Sequence, residues 1–221
     1  MIENYLMMGV RLKWTFPGDH STGTKDGSVI QNPARPAGPM IYDGLDGELY
    51  NLSFPHVSTL GLSKGMSIPY SWLTYSVGHT SKKMLAAGDV LTGYMSGCLI
   101  TLWTEGGYRY VGHIGTDDSS PAMSANVKKA FAAYMPRDTT GFDPAAAWDL
   151  GEIAPKMARF KNGAEPKILA LVTTAGQFYS ILLFKLHGSM DEWCVGGIKK
   201  VPPMNRDALY LRMRRLRDKD S

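Results

Sequence analysis

Apolar and polar residues alternate near the start of the chain, a pattern typical of a β-strand with one buried face. The apolar positions of this segment are Val10, Leu12, Trp14 and Phe16. Residues 17–39, which follow, are rich in Gly, Pro, Asp, Ser and Thr and show no periodicity. The pattern therefore predicts a first strand followed by a long loop.

Further stretches of the first half also favour strands. Two Asp-Gly pairs signal turns before a segment in which Tyr50, Leu52 and Phe54 alternate with polar residues. Aromatic and β-branched residues are dense in 67–77 and in 90–103. Each of these segments is therefore predicted to contribute to a sheet.

The second half contains the strongest hairpin signal. Residues 168–173 and 178–186 are apolar on both faces, and the turn sequence Thr-Ala-Gly-Gln separates them. These two segments are predicted to be central strands of a sheet.

Three helices are predicted after the first hundred residues. Ser124 is a candidate cap for a helix with an apolar stripe. Asp143 and Pro144 form a cap and first turn for a short helix that continues through Leu150. Asn205 is a candidate cap for a C-terminal helix with arginines on its outer side.

Composition narrows the fold class. The chain has 221 residues, of which 44% are hydrophobic and 20% charged, together with 24 glycines and 13 prolines. This balance supports a folded core with many turns. We therefore predict a single α+β domain over residues 1–221, built as a β-sandwich of mixed sheets flanked by helices and long loops.

Charge and hydropathy bear on partners. Most of the net charge of +4 comes from the Arg-rich C-terminal segment, where a basic outer helix face explains it without nucleic acid. No apolar run approaches the roughly 18 residues that cross a bilayer. Neither nucleic-acid binding nor membrane insertion is therefore expected.

The two cysteines and the scattered histidines do not indicate a metal centre. Cys98 and Cys194 are too few and too far apart for a disulfide framework or a zinc site. The histidines without partner spacing are His20, His56, His79 and His187. No metal or cofactor is predicted, and Cys194, beside Trp and Val, is interpreted as a buried structural thiol.

Cys98 differs from Cys194 because it stands at a turn before an apolar strand. Ser96-Gly97 precede it, and after a Gly-Gly turn sequence a second strand ends at His113. One turn register places His113 directly opposite Cys98, and a second, with Gly106-Gly107 as the loop, places it diagonally on the same face. An odd loop length would separate the two residues.

A thiol next to an imidazole supplies a nucleophile and a general base. The reference pKa of cysteine lies near 8.5, so a histidine that takes the proton would create a thiolate–imidazolium pair. A third group commonly fixes the tautomer of such a histidine. Thr92, six residues before Cys98, is the candidate. Asp117 and Asp118 after His113 are interpreted as solvated loop carboxylates, and the alternative is that they line the mouth of the site or orient the imidazole.

The segment Thr-Gly-Tyr-Met-Ser-Gly-Cys, followed by a Gly-Gly turn and a histidine, resembles the family of Burkholderia lethal factor-like and cytotoxic necrotizing factor-type cysteine glutamine deamidases. The resemblance covers about 25 residues, from Thr92 to Thr116. It implies that Cys98 is the nucleophile, His113 the acid and base, and Thr92 the orienting group.

The resemblance also implies a function. The expected reaction is hydrolysis of a glutamine side-chain amide on a target protein through a cysteine thioester, without a cofactor, with backbone N–H groups near Ser96 and Gly97 holding the oxyanion. A bacterial toxin or effector is the implied role. Because the first residues lack a basic region, we expect a bacterial cytoplasmic location or export without a Sec-type signal, with action in a host cytosol.

Two alternatives remain open from the sequence. A cysteine peptidase or a transglutaminase-like acyl transferase would pass through the same thioester. A β-rich binding module with an inert thiol would need no chemistry at Cys98.

Overall fold

A computed structural model describes most of the chain, and for residues 216–220 it describes the backbone alone. The described residues are 2–20, 23–35, 37–52, 61–86 and 88–220.

The described residues form thirteen strands and four α-helices. The strands are β1 Val10–Trp14, β2 Val29–Gln31, β3 Met40–Leu45, β4 Ser67–Ile68, β5 Ser71–Trp72, β6 Thr80–Met84, β7 Val90–Gly93, β8 Leu99–Glu105, β9 Tyr108–Ile114, β10 Thr140–Phe142, β11 Ala164–Val172, β12 Phe178–Leu186 and β13 Glu192–Val201. The α-helices are α1 Gly47–Tyr50, α2 Pro121–Tyr134, α3 Leu150–Met157 and α4 Arg206–Asp220. Single 3-10 turns lie at Ile2–Tyr5 and Ala145–Ala147.

Eight strands form a large curled sheet in the order β4-β3-β1-β13-β12-β11-β7-β5. Its two edge strands, β4 and β5, are separated in sequence by only two residues, so the sheet bends back toward itself. The concave side encloses an aromatic core in which the Trp14 ring lies 5.8 Å from that of Trp72 and 6.1 Å from that of Trp193.

The other five strands form a smaller sheet in the order β10-β8-β9-β6-β2. A second core lies between the two sheets and contains Val90 and Ala170 from the large sheet and Ile100 and Val111 from the small one. Helices α2 and α4 cover the outer face of the small sheet through a third core that includes Phe131. The predicted α+β sandwich of two mixed sheets is confirmed.

The strongest periodic signals of the sequence are confirmed as elements. The first strand is β1, and the hairpin of the second half is β11 paired with β12 along nine residues of each. Asn205 caps α4 as predicted, because its Oδ1 accepts a hydrogen bond from the Ala208 N–H at 2.9 Å.

The prediction of a strand over Tyr50, Leu52 and Phe54 is wrong for the residues that the structure describes. Asp46 instead caps the short helix α1, because its carboxylate accepts the Leu49 N–H at 3.1 Å. Leu52 lies in the turn that follows, and Phe54 lies outside the described residues. Local capping therefore outweighs the alternating pattern here.

Two helix boundaries and one loop also differ from the predictions. Asp143 and Pro144 open only a 3-10 turn, and the helix starts at Leu150, where it was expected to end, because Asp149 caps it. Helix α2 begins before Ser124, whose buried hydroxyl instead bonds the Asp117 backbone. The long loop of 17–39 contains β2, which pairs in parallel with β6.

Candidate active site

The hairpin of β8 and β9 sets the spacing of Cys98 and His113. The two strands pair to their ends, which leaves Gly106-Gly107 as a two-residue turn. These glycines have φ of +59° and +82°, which suit a tight hairpin turn and disfavour other residues. The register is therefore the second of the two turn alternatives, and His113 is a same-face diagonal neighbour of Cys98.

Thr92 reaches His113 from the opposite sheet. It lies on β7, and its side chain points into the core between the sheets, as do those of Val90 and Ala170 beside it. Thr92 Oγ1 and His113 Nδ1 are 2.6 Å apart, and both side chains are fully buried. The structure thus brings together the two residues that the sequence separates by 21 positions.

The contact with Thr92 engages one ring nitrogen of His113 and leaves the other without a partner among the described residues. When Nδ1 carries the proton and donates it to the threonine hydroxyl, Nε2 has a free lone pair. Within the described part of the chain, His113 Nε2 is buried and has no hydrogen-bond partner. In this tautomer, Nε2 is a buried base to which none of the residues that the structure describes donates a hydrogen bond.

Burial keeps the resting thiol and imidazole uncharged. Desolvation raises the pKa of Cys98 to about 11 and lowers the pKa of His113 to about 3. Among the described residues, the Cys98 sulfur makes its hydrogen-bond contacts with Thr116, at 3.3 Å from Oγ1 and 3.9 Å from the carbonyl oxygen, and not with the ring. The thiolate–imidazolium pair expected from the sequence is therefore disfavoured before substrate binds.

The depressed pKa of His113 predicts a specific loss of stability in acid. The unfolded histidine binds a proton near pH 6.5, whereas the folded one resists protonation until about pH 3. Between these values the unfolded state holds the extra proton, so the free energy of unfolding falls as pH falls, by up to about 1.4 kcal/mol per pH unit.

The matched comparison for this prediction is the Thr92→Val/His113→Leu variant, which lacks the titrating ring. Urea unfolding at several pH values between 3 and 7 should show a steeper acid loss for the unmodified protein. Parallel pH curves for the two proteins would show that His113 titrates normally in the folded state.

Cys98 opens onto a small cleft of about 210 Å³. The lining residues are Asp19, Tyr75, Tyr94, Ser96, Cys98, Thr116, Asp117 and Asp118. Four larger clefts lie elsewhere on the described surface, and none of them is lined by Cys98, His113 or Thr92. The cleft at Cys98 is therefore the place where a substrate could meet the thiol.

Ser96 and Gly97 form a bend, as the sequence predicts, and Ser96 lines the cleft. Within the described residues, no carbonyl oxygen accepts a hydrogen bond from either backbone N–H. These N–H groups are thus available to a ligand, and their role as an oxyanion site stays a prediction.

No family model, curated protein or solved structure matches the chain. In the portion of the chain that the structure describes, none of the helices has the length and apolar character needed to cross a membrane.

The aromatic walls of the cleft escaped the sequence analysis. Tyr94 stacks on Phe16 with ring centroids 4.0 Å apart, and the Lys167 ammonium lies 4.8 Å from the centroid of the same tyrosine. Tyr75 places its ring 5.3 Å from the ring of His113. Tyr94 lies within the Thr92–Thr116 segment, so its place at the site could have been predicted. Tyr75 lies outside that segment, and nothing in the sequence indicates that it is close to the site.

The carboxylates of the cleft do not orient the imidazole. Asp117 Oδ1 accepts hydrogen bonds from the backbone and hydroxyl of Ser119, which lower the pKa of Asp117. Asp19, delivered by the long loop, has its pKa raised by partial burial. These groups form an acidic rim above the thiol, together with Asp118.

The remaining cysteine and histidines lie elsewhere. Cys194 is fully buried in a core beside Phe184, and burial raises its pKa to about 12. His79 Nδ1 lies 3.3 Å from the hydroxyl of Ser28 and 3.4 Å from a carboxylate oxygen of Asp26. His56 lies outside the described residues.

Proposed function

We propose that the protein is a cysteine-dependent glutamine deamidase, which hydrolyses the side-chain amide of a glutamine on a protein substrate. The observation that carries this proposal is the contact of Thr92 with His113 across the two sheets. It orients an imidazole whose second nitrogen has no partner, on the same face as a cysteine that lines a cleft.

The first half of the reaction forms a thioester. His113 Nε2 takes the proton of the Cys98 thiol, and the sulfur attacks the carboxamide carbon of the glutamine. Backbone N–H groups at Ser96 and Gly97 stabilise the oxyanion. The carbon–nitrogen bond then breaks, and the imidazolium gives its proton to the departing nitrogen, which leaves as ammonia.

The second half releases the product. A water molecule attacks the thioester carbon while His113 accepts one of its protons. The carbon–sulfur bond breaks, the thiol regains its proton from the imidazolium, and glutamate remains on the substrate. Thr92 accepts the hydrogen bond of the Nδ1–H group throughout, which keeps Nε2 available in every step.

Size and charge of the cleft favour a neutral side chain over a peptide segment. Its volume of about 210 Å³ is below the roughly 300 Å³ at which typical ligand pockets begin. The acidic rim accommodates the N–H donors of an amide and repels the carboxylate of the product. These features support side-chain deamidation over peptide cleavage at an extended groove.

The biological setting belongs to the same proposal. A neutral glutamine that becomes a negative glutamate changes the electrostatics of the surface that carries it. A bacterial toxin or effector that disables a protein of a host cell is the role that the resemblance of the Thr92–Thr116 segment supports.

The products separate this proposal from its alternatives. The purified protein is incubated with an extract of eukaryotic cells, and ammonia release and the masses of tryptic peptides are measured. A gain of about one dalton at glutamine, with ammonia, is expected from hydrolysis of the amide. Peptide cleavage would identify a peptidase, amine incorporation an acyl transferase, and unchanged peptides a binding module.

A further inference from the structure

Thr116 supplies polar groups to the candidate nucleophile that the Thr92, Cys98 and His113 set does not include. Its Oγ1 lies 3.3 Å from Cys98 Sγ, and its carbonyl oxygen lies 3.9 Å from the same sulfur. The residue is 5% exposed and lines the cleft. The Cys98 thiol therefore contacts the hydroxyl group of a residue that lines the cleft.

The fold fixes Thr116 through the segment before it. Gly115 donates its N–H to the His79 carbonyl and accepts from the Gly78 N–H, both at 2.9 Å. A Cβ at Gly115 would come within 2.0 Å of the Ser76 carbonyl oxygen, so only glycine permits this approach. These contacts fix the backbone at the end of β9, directly before Thr116.

A tyrosine holds Thr116 from the other side. The Tyr75 hydroxyl donates to the Thr116 carbonyl oxygen at 2.5 Å, and the Thr116 N–H donates to the Ile114 carbonyl at 3.1 Å. Both backbone groups of Thr116 are engaged, and its hydroxyl is the group that can donate a hydrogen bond to Cys98. A position defined in this way is preorganised for a developing charge.

We infer that Thr116 is a positioning residue of this site, whose hydroxyl holds the Cys98 thiol at the cleft and donates a hydrogen bond to the thiolate after its proton has left. The inference rests on the proposed function of Cys98 as a nucleophile. It adds a second donor to the thiolate, beside the Nε2–H that the imidazolium gains with the thiol proton.

The chemistry of sulfur explains why a donor is needed. A thiolate has no proton and can only accept, and a hydrogen bond to a charged acceptor is about twice as strong as one between neutral groups. The charged groups that act on Cys98 work in opposite directions, since Asp118 raises its pKa and Lys128 on α2 lowers it. The hydrogen bond from Thr116 lowers it as well.

The test compares the rates at which iodoacetamide alkylates Cys98 in the unmodified protein, Thr116→Val and Thr116→Ser. Alkylation follows the thiolate fraction, and peptide mapping separates Cys98 from the buried Cys194. Between pH 8 and 10, we expect Thr116→Val to react about three- to tenfold more slowly, because a pKa higher by about one unit lowers the thiolate fraction about tenfold and raises the nucleophilicity of the remaining thiolate by less. Thr116→Ser, which keeps the hydroxyl, should stay within about twofold of the unmodified protein.

Two results would overturn the inference. One is an unchanged rate in Thr116→Val. The other is an equal loss in Thr116→Ser, which would show that any change of packing at this position slows alkylation, whether or not the hydroxyl is kept. Thermal unfolding confirms that each variant is folded, and Thr116→Ala replaces the valine variant if that one is not. Alkylation needs no substrate, so the two tests are independent. A negative alkylation result would overturn the role of Thr116 without contradicting deamidation, and the alkylation result can be interpreted even if no deamidation is detected.

Discussion

Replacement of Cys98 by serine is expected to reduce glutamine deamidation by at least about a thousandfold. The serine hydroxyl has nearly the same size, but it is a far weaker acid than the thiol, so the same imidazole takes its proton far less readily and no comparable nucleophile forms. Ammonia release and the mass gain at glutamine in treated cell extracts measure the effect.

The chain provides a matched control for this substitution in its second cysteine. Cys194 is fully buried in the core next to Phe184 and contacts none of the cleft. Cys194→Ala should retain activity within a few fold while losing some stability. If Cys98→Ser kept the activity of the unmodified protein, the nucleophile would lie elsewhere and the proposed mechanism would be wrong.

Removal of both polar groups of the Thr92–His113 contact is expected to abolish activity and to stabilise the fold. In Thr92→Val/His113→Leu, two side chains of similar shape replace a hydroxyl and an imidazole that are fully buried. The unpartnered Nε2 of His113 disappears with them. An unsatisfied buried polar group costs about 1 to 3 kcal/mol, so we expect a gain of that order in the free energy of unfolding.

The single substitutions are the controls for this double variant. Thr92→Val leaves Nδ1 of the imidazole buried without a partner, and His113→Leu leaves the threonine hydroxyl alone. Each single variant should therefore be less stable than the double variant, in a cycle measured by urea unfolding. A double variant that is destabilised by the sum of the two singles would show that His113 serves the packing of the core and not a reaction.

The parts of the fold that the sequence predicts are those where burial follows a simple period. β1 alternates because one of its faces packs in the aromatic core, and β11 and β12 are apolar on both faces because cores lie on both sides of the large sheet. Helix α4 follows its stripe because Leu209 and Met213 pack on the small sheet. In these elements, tertiary packing and local pattern agree.

The predictions fail where a side chain that caps a helix determines the local backbone conformation. Asp46 turns an alternating segment into α1, and Asp149 starts α3 where the helix from Asp143 was expected to end. Asp149 with Glu152 three residues later is a helix-start signal that was available in the sequence. The pairing of the short strands β4 and β5 had no such signal, since it depends on the curl of the whole sheet.

The site was predictable in part for similar reasons. Hairpin arithmetic placed Cys98 and His113 on one face, because a two-residue turn preserves the alternation of both strands. Thr92 required the motif, since it belongs to the other sheet. The roles of Tyr75 and Thr116 could not be predicted, because their contacts depend on how closely the chain packs at Gly115. No hydrophobic periodicity in the sequence indicates that close approach.

The most direct measurement of the central claim is the labelling of Cys98 by a glutamine analogue whose amide is replaced by a diazoketone. Mass mapping of the alkylated peptide should show label at Cys98 and none at Cys194. His113→Gln should slow the labelling at least about a hundredfold, because the base that takes the thiol proton is gone. Equal labelling rates with and without His113, or label absent from Cys98, would contradict a thiol and an imidazole that act together on an amide.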